Sequence, residues 1–375
     1  MGEKVINADC LFGASYMLRQ VEAMQGELQG ALVGEDIEKI HQMRVASRRM
    51  RNALELFRDC LSKKDVKNWR KEVRKITKAL GNARDLDIQI DLITRCCEHE
   101  LDDTIKPGYN RLLLRLTQRR VLAQDKVNRA LERLRQRGIL EMLQKRLRTM
   151  TPGKENVYLF SPSLYERAFN TISKDLESFL SYEGEIYDPA KKEELHAMRI
   201  AGKHLRYSME VFAPIYRNAL DEHIRAMKDL QDTLGDIHDN DVWIDWLPKF
   251  IEDEQGRIED YYGNAAPIKR LLPGFNHFLD ERHRHREQQY FAFLSSWETL
   301  KGESAWSNLE KIIKAPIDIE SALAHLAPDL ECLHDREEST GQVSSRENIE
   351  GDSGASTQIE PPERRDTTND PKNTI

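Results

Sequence analysis

Apolar positions along this 375-residue chain recur at helical spacing over its first three hundred residues. In the segment HQMRVASRRMRNALELF, residues 41–57, Met43, Met50, Leu54 and Phe57 follow one another at intervals of 7, 4 and 3. That spacing makes a single apolar stripe on a helix. His41, Arg44, Arg48 and Arg51, at intervals of 3, 4 and 3, fall on the opposite side. The same reading along the chain predicts helices over 8–29, 35–61, 63–81, 85–100 and 107–149. A second set follows at 162–182, 189–218, 220–235, 239–253 and 264–301. Strand-period alternation is lacking and glycine and proline are sparse there, so the expected fold is all-α.

Two interruptions divide the pattern. The stretch Met150–Pro162, with two prolines and a glycine, reads as a hinge between halves. From about Asp335 onward large apolar residues nearly vanish, and 335–375 reads as a disordered acidic tail. The expected organisation is a first helical repeat over 1–150, a hinge at 151–162 and a second repeat over 163–310. A short C-terminal extension over 311–334 then leads into the tail.

The two halves are related by an internal repeat. HQMRVASRRMRNALELF at 41–57 aligns without gaps to HAMRIAGKHLRYSMEVF at 196–212. His41, Arg44, Arg48 and Arg51 thereby match His196, Arg199, Lys203 and Arg206, while Met198, Leu205, Met209 and Phe212 repeat the apolar stripe. Farther on, VRKITKALGNARDLDI at 73–88 aligns to MKDLQDTLGDIHDNDV at 227–242. In this second block Gly81 and Gly235 read as helix C-caps, and Asp85 and Asp239 as N-caps of the helices that follow.

Charge changes the picture more by placement than by sum. The chain carries 57 Lys and Arg against 64 Asp and Glu, a formal net charge of −7. The tail, with ten acids and five bases, supplies most of that excess. Residues 41–84 instead hold fourteen bases and four acids. An ordinary solvated helix face mixes signs at i,i+4, because like charges there destabilise the helix. A duplicated stripe of like charge therefore calls for an anion that neutralises it. Arginine suits phosphate oxygens because its planar fork donates two bonds at once. Further candidates are Lys71, Arg74 and Lys78 on the next helix and Arg225 and Lys228 on its counterpart. Arg119 and Arg286 add charge from the late helices.

Other chemistry is less well served. Cys10, Cys60, Cys96, Cys97 and Cys332 form no pairing pattern and no CxxC, so reduced thiols are expected and no metal or cofactor is called for. No signal peptide and no apolar run of membrane length is present, so the expected setting is cytoplasmic with no membrane partner. A metal-dependent phosphohydrolase could use His238, Asp239 and Asp241 with Asp85 and Asp87, but no H-x3-H or HExxH spacing supports it. Nucleic acid is disfavoured as a partner, because the basic stripes contain no interleaved aromatic residues for base stacking. A homo-oligomer is left open.

The two blocks together, H-x-M-R-[VI]-x-x-[RK]-x-[LM]-R followed by L-G-x-x-x-D-x-D and both present twice, resemble the CHAD domain (conserved histidine α-helical domain) over about residues 8–302. The resemblance implies two four-helix bundles related by a pseudo-twofold axis around a basic central groove or pore. It also implies inorganic polyphosphate as ligand, and association with polyphosphate granules. The implied anion contacts are His41, Arg44, Arg48 and Arg51 with His196, Arg199, Lys203 and Arg206, and Arg74 and Lys228 on the next matching helix. The N-terminal region has no ExExK of the triphosphate-tunnel hydrolases that often precede this domain, so the expected protein is a binder rather than an enzyme.

Overall fold

A computed structural model describes residues 7–98, 102–151 and 161–317 of the chain. The described residues form helices and no strands. The first repeat consists of α1 (Ala8–Val33), α2 (Ile37–Leu56), α3 (Lys63–Glu98), α4 (Lys106–Gln136) and α5 (Ile139–Arg148). The second consists of α6 (Pro162–Leu180), α7 (Lys192–Phe212), α8 (Asp221–Tyr262), α9 (Leu272–Gly302) and a tenth helix, α10, over 305–317.

Consecutive long helices pack on one another in each half, α1 on α2, α2 on α3 and α3 on α4, then α6 on α7, α7 on α8 and α8 on α9. The halves meet like with like: α1 touches α6, α2 touches α7 and α4 touches α9. Such self-matching contacts are what a twofold relation between the repeats produces. The α4–α9 crossing is close enough to exclude side chains. A Cβ on Gly274 would lie 2.2 Å from the Ile105 carbonyl oxygen and 2.8 Å from Gly108 Cα, so only glycine fits there. Both glycines stand in matching segments, PGYN at 107–110 and PGFN at 273–276, a third repeated block.

Every residue of the two apolar stripes is buried, from Met43, Met50, Leu54 and Phe57 to Met198, Leu205, Met209 and Phe212. They belong to one core that runs through both repeats. Between the repeats, Phe57 and Phe212 close up with Phe12, all three ring centroids standing 6.1 Å apart. A second core forms where α3 and α4 face α8 and α9, around Tyr109, Trp243, Phe250, Phe275 and Phe278.

Several expectations need correction. The segment 63–81 and the described part of 85–100, as far as Glu98, are one helix, α3, and 220–235 and 239–253 fall in one helix, α8. Gly81 and Gly235 are therefore helix-interior residues, not C-caps, and Asp85 and Asp239 are not N-caps. Burial of Leu80, Ala83 and Asp87 on α3, and of Leu234, Ile237 and Asp241 on α8, outweighs the roughly 1 kcal/mol that an interior glycine costs. The predicted helix 107–149 breaks at Gly138, whose φ of 57° begins α5. Ser304, also with φ 57°, begins α10 in the same way. The amides of Gly138 and Ser304 donate to Arg135 O and Lys301 O, and their carbonyls accept from Met142 N and Asn308 N. Residues 305–317 thus form a fifth helix of the second repeat that runs on past 310, where the sequence suggested that an extension begins. Reduced thiols are also corrected in part. The start of α1 lies against the turn after α2, and Cys10 is bonded to Cys60 there, with Cα atoms 5.2 Å apart. Cys96 and Cys97 are free. Cys332, the tail and most of the hinge lie outside the described residues.

Candidate functional site

The faces of α2 and α7 opposite the core carry the eight motif residues. His41, Arg44, Arg48 and Arg51, and His196, Arg199, Lys203 and Arg206, are all half-buried. Each arginine at the second motif position lies over a glycine of the neighbouring helix. A Cβ added to Gly81 would be 3.7 Å from Arg44 Nε, and one added to Gly235 would be 3.8 Å from Arg199 Nε. The glycines thus give these side chains room to lie across α3 and α8.

The two halves share a frame and differ in detail. The α2–α3 seam is tied by Thr77 Oγ1 donating to Ser47 Oγ at 3.1 Å, and the α7–α8 seam by Gln231 Nε2 donating to the Gly202 carbonyl at 2.6 Å. His41 feels the charge of Arg84, whereas His196 lies against the ring of His238, centroids 4.0 Å apart. The ring of Tyr207 on α7 is approached by the guanidinium of Arg48, 4.4 Å from its centroid, and by that of Arg206, at 5.0 Å. Arg206 also donates to Gln231 Oε1 at 2.9 Å and Glu210 Oε1 at 2.8 Å. Glu210 takes a second bond from Arg49 of the other repeat at 3.3 Å.

Positive charge gathers here without matching acids. Among the described residues no carboxylate pairs with Arg44, Arg48, Arg51, Arg84 or Lys203, and Arg199 comes only within 4.0 Å of Asp239. The Nε atoms of Arg48, Arg84 and Arg199 are buried and without a hydrogen-bond partner, as are Nδ1 of His41 and of His196. Burial, reinforced by Arg199, Arg48 and Arg44, brings the Lys203 ammonium down to about 7. Burial and neighbouring cations likewise hold His41 and His196 below the ordinary histidine value, and bring His238 down to about 4. The acids present are few and pushed the other way. Burial raises the carboxyls of Asp85 and Asp239, and their mutual repulsion raises Asp85 further, although the arginines oppose both. The Asp239 side chain is 57% exposed, so this carboxyl is wetted while still surrounded by protein.

The sequence model of the CHAD domain matches residues 15–248. The chain belongs to the CHAD family. Among solved structures it is similar to the CHAD domain from the plant Ricinus communis, at 20% identity and a TM-score of 0.56, over 79% of this chain and 93% of that one. It is also similar to PptA from Streptomyces chartreusis, at 14% identity and a TM-score of 0.49, over 78% of this chain and 99% of that one. No curated protein sequence matches it.

Within this CHAD domain the remaining candidates are scattered. Arg74 joins Arg70 beside Arg51, and both depress its guanidinium after burial has done so. Lys71, Lys78, Arg225 and Lys228 are exposed on α3 and α8. Arg119 lies 5.0 Å from the ring centroid of Trp246. Arg286 is committed to Asp241, at 2.6 Å, and to the Pro189 carbonyl, at 2.8 Å. Its counterpart is Arg120, bonded to Asp87 at 2.6 Å. This matched pair shows that the repeat continues past Pro248, where the CHAD match ends. The phosphohydrolase set is divided in the same way, since Asp87 and Asp241 hold arginines and His238 lies against His196. Among the described residues no three His, Cys, Asp or Glu side chains are grouped to hold a metal ion. No described helix is long and apolar enough to cross a membrane.

Sequence reasoning missed Arg84 and Tyr207. Arg84 stands at the repeat position of His238, so comparing the aligned blocks column by column would have found it. Tyr207 has Asn52 in the matching column, and nothing in that column marks it as a support for two arginines.

Proposed function

We propose that this CHAD protein binds inorganic polyphosphate non-catalytically, through the cations that α2 and α7 present on their faces away from the core. The observation that carries this reading is the half-buried cluster of Arg44, Arg48, Arg51, Arg84, Arg199 and Lys203, in which, among the described residues, the one ion pair is the long contact of Arg199 with Asp239 at 4.0 Å. Like charges held together at that burial destabilise the free protein, and a bound polyanion removes the repulsion. Each charge-assisted bond to a phosphate oxygen contributes roughly 1.5–3 kcal/mol. Cations set in line along two helices suit a chain of phosphates better than a single one. The one aromatic ring among them, Tyr207, is buried and already in contact with the guanidinium groups of Arg48 and Arg206, so it is not available to stack on a nucleobase. Association with polyphosphate granules follows from the same affinity.

The test is thermal unfolding with long-chain polyphosphate, with orthophosphate at equal phosphate concentration, and with RNA. Long-chain polyphosphate should raise the melting temperature well beyond the other two. That rise should shrink steeply with salt, as counterion release requires. Equal shifts with polyphosphate and orthophosphate, or none with either, would sink the proposal. Full displacement of bound polyphosphate by RNA would move the reading to nucleic acid.

A further inference from the structure

Comparing the two repeats column by column separates their cations into two kinds. In the first repeat, the positions around His41 hold Arg44, Arg48 and Arg84, all permanently charged. In the second, the same columns hold Arg199, Lys203 and His238. Two of the three cations have thus become groups that can lose a proton. Lys203 is the more informative. Its counterpart Arg48 rests 4.4 Å from the centroid of the Tyr207 ring, a stacked contact suited to a guanidinium. Among the described residues Lys203 has no such contact and no paired acid, and it stands half-buried where Arg44 and Arg48 of the other repeat come near.

We infer that seating a polyanion against the second repeat takes up a proton at Lys203, while the first repeat binds with permanent charge. This rests on the polyphosphate reading of the same site and adds its regulation by pH. The groups that act on Lys203 come from all four surrounding helices. Arg199 and His196 share α7 with it, Arg44 and Arg48 approach from α2, Asp85 from α3, and His238 and Asp239 from α8. The cations and burial outweigh the two carboxylates, which accounts for an ammonium brought down to about 7.

The sign follows directly. With the ammonium brought down to about 7, Lys203 in the free protein gives up its proton as pH rises past neutrality. A bound phosphate chain favours the ammonium and raises its pKa, so binding draws a proton from solvent. Affinity then falls as pH rises, by at most about tenfold per unit for a single proton. His196 and His238 lie below the ordinary histidine value, so their own uptake belongs to more acid solution.

Calorimetric titration of the full chain with long-chain polyphosphate, in two buffers of different ionisation enthalpy, counts the protons taken up. Between about pH 7 and about pH 8.5 we expect uptake approaching one proton, with affinity falling up to about tenfold per pH unit. Lys203→Arg should bind with a nearly flat pH profile and no uptake in this window. Lys203→Met should also lose the uptake, and at pH 7 and below should bind more weakly than the natural protein. Binding with no proton uptake, or uptake that persists unchanged in Lys203→Arg, would overturn the inference and leave polyphosphate binding standing. Persistence in the arginine variant would assign the proton to Asp85, Asp239 or the ligand. Absence of binding at every pH would overturn the functional proposal itself.

Discussion

Arg51 and Arg206 occupy matching columns of the repeat and meet opposite fates. Arg206 is bonded to Gln231 and Glu210, whereas Arg51 faces Arg70 and Arg74 and, among the described residues, has no acid of its own. The spacing of 3, 4 and 3 that marks the basic stripes is legible in the sequence, because it is local to one helix. Which of those cations are neutralised is not, because the neutralising groups come from other helices. Glu210 serves Arg49 across the repeats, and Asp241 takes Arg286 from 45 residues away. The cations left over bear directly on stability. Arg44 and Arg199 are half-buried near Lys203, and removing both charges should relieve repulsion in the free protein. We expect Arg44→Gln with Arg199→Gln to stabilise the unliganded fold by about 0.5–2 kcal/mol, since glutamine keeps part of the packed stem. The same variant should lose most of the polyphosphate-induced rise in melting temperature. Denaturant unfolding with and without ligand measures both, and an unliganded variant less stable than the natural protein would sink the repulsion argument.

At the scale of elements, the periodicity located most helices but misjudged their breaks. Leu-Gly followed by a short polar stretch and Asp has the local chemistry of a helix end and a new start. In α3 and α8 the helix runs on, because buried residues on both sides of the glycine hold it. The absence of a side chain serves the neighbouring helix instead, by giving Arg44 and Arg199 a surface to cross. The missed start of α10 has a converse cause: Ser304 takes the left-handed conformation that Gly138 takes in the first repeat, and serine does not announce it. These two roles for Gly81 predict different mutants. As an interior residue with 3.7 Å between a new Cβ and Arg44 Nε, Gly81→Ala should be accommodated and should stabilise α3 by up to about 1 kcal/mol. At a left-handed C-cap the same change would destabilise. Gly81→Leu should keep the helix but displace Arg44, weakening polyphosphate binding by about tenfold or more. Circular dichroism with thermal melts, and titration of the folded variants, separates the two cases.

For the whole molecule, the chemistry of the site depends on how the two repeats are held, and one buried carboxylate is central to that. Glu254 of α8 is fully buried, its side chain 0% exposed. It accepts bonds from Arg111 and Arg115 of α4, the latter at 2.9 Å through both Nε and Nη2, and from Arg257 at 2.7 Å. The sequence shows these arginines as part of a general basic excess. Only the side-chain bonds from α4 to Glu254 of α8 reveal that Arg111 and Arg115 serve the join between repeats. Burial alone would raise the Glu254 carboxyl, but the bonds from Arg115 and Arg111 prevail and hold it below the usual value. A depressed carboxyl contributes stability that is present above its unfolded value, about 4.3, and is lost as pH falls through the lower folded value. Glu254→Gln keeps the shape and removes the charge, leaving arginines at the join without their partner. These arginines are partly exposed, between 24% and 42%, so solvent screens part of the loss. We expect a cost of about 1–3 kcal/mol near neutrality. Lowering the pH protonates Glu254 in the natural protein and makes it resemble the variant. The two stability curves, measured by denaturant unfolding from neutral to acid pH, should therefore converge on the acid side. Parallel curves would mean that the charge of Glu254 is not what holds α4 against α8.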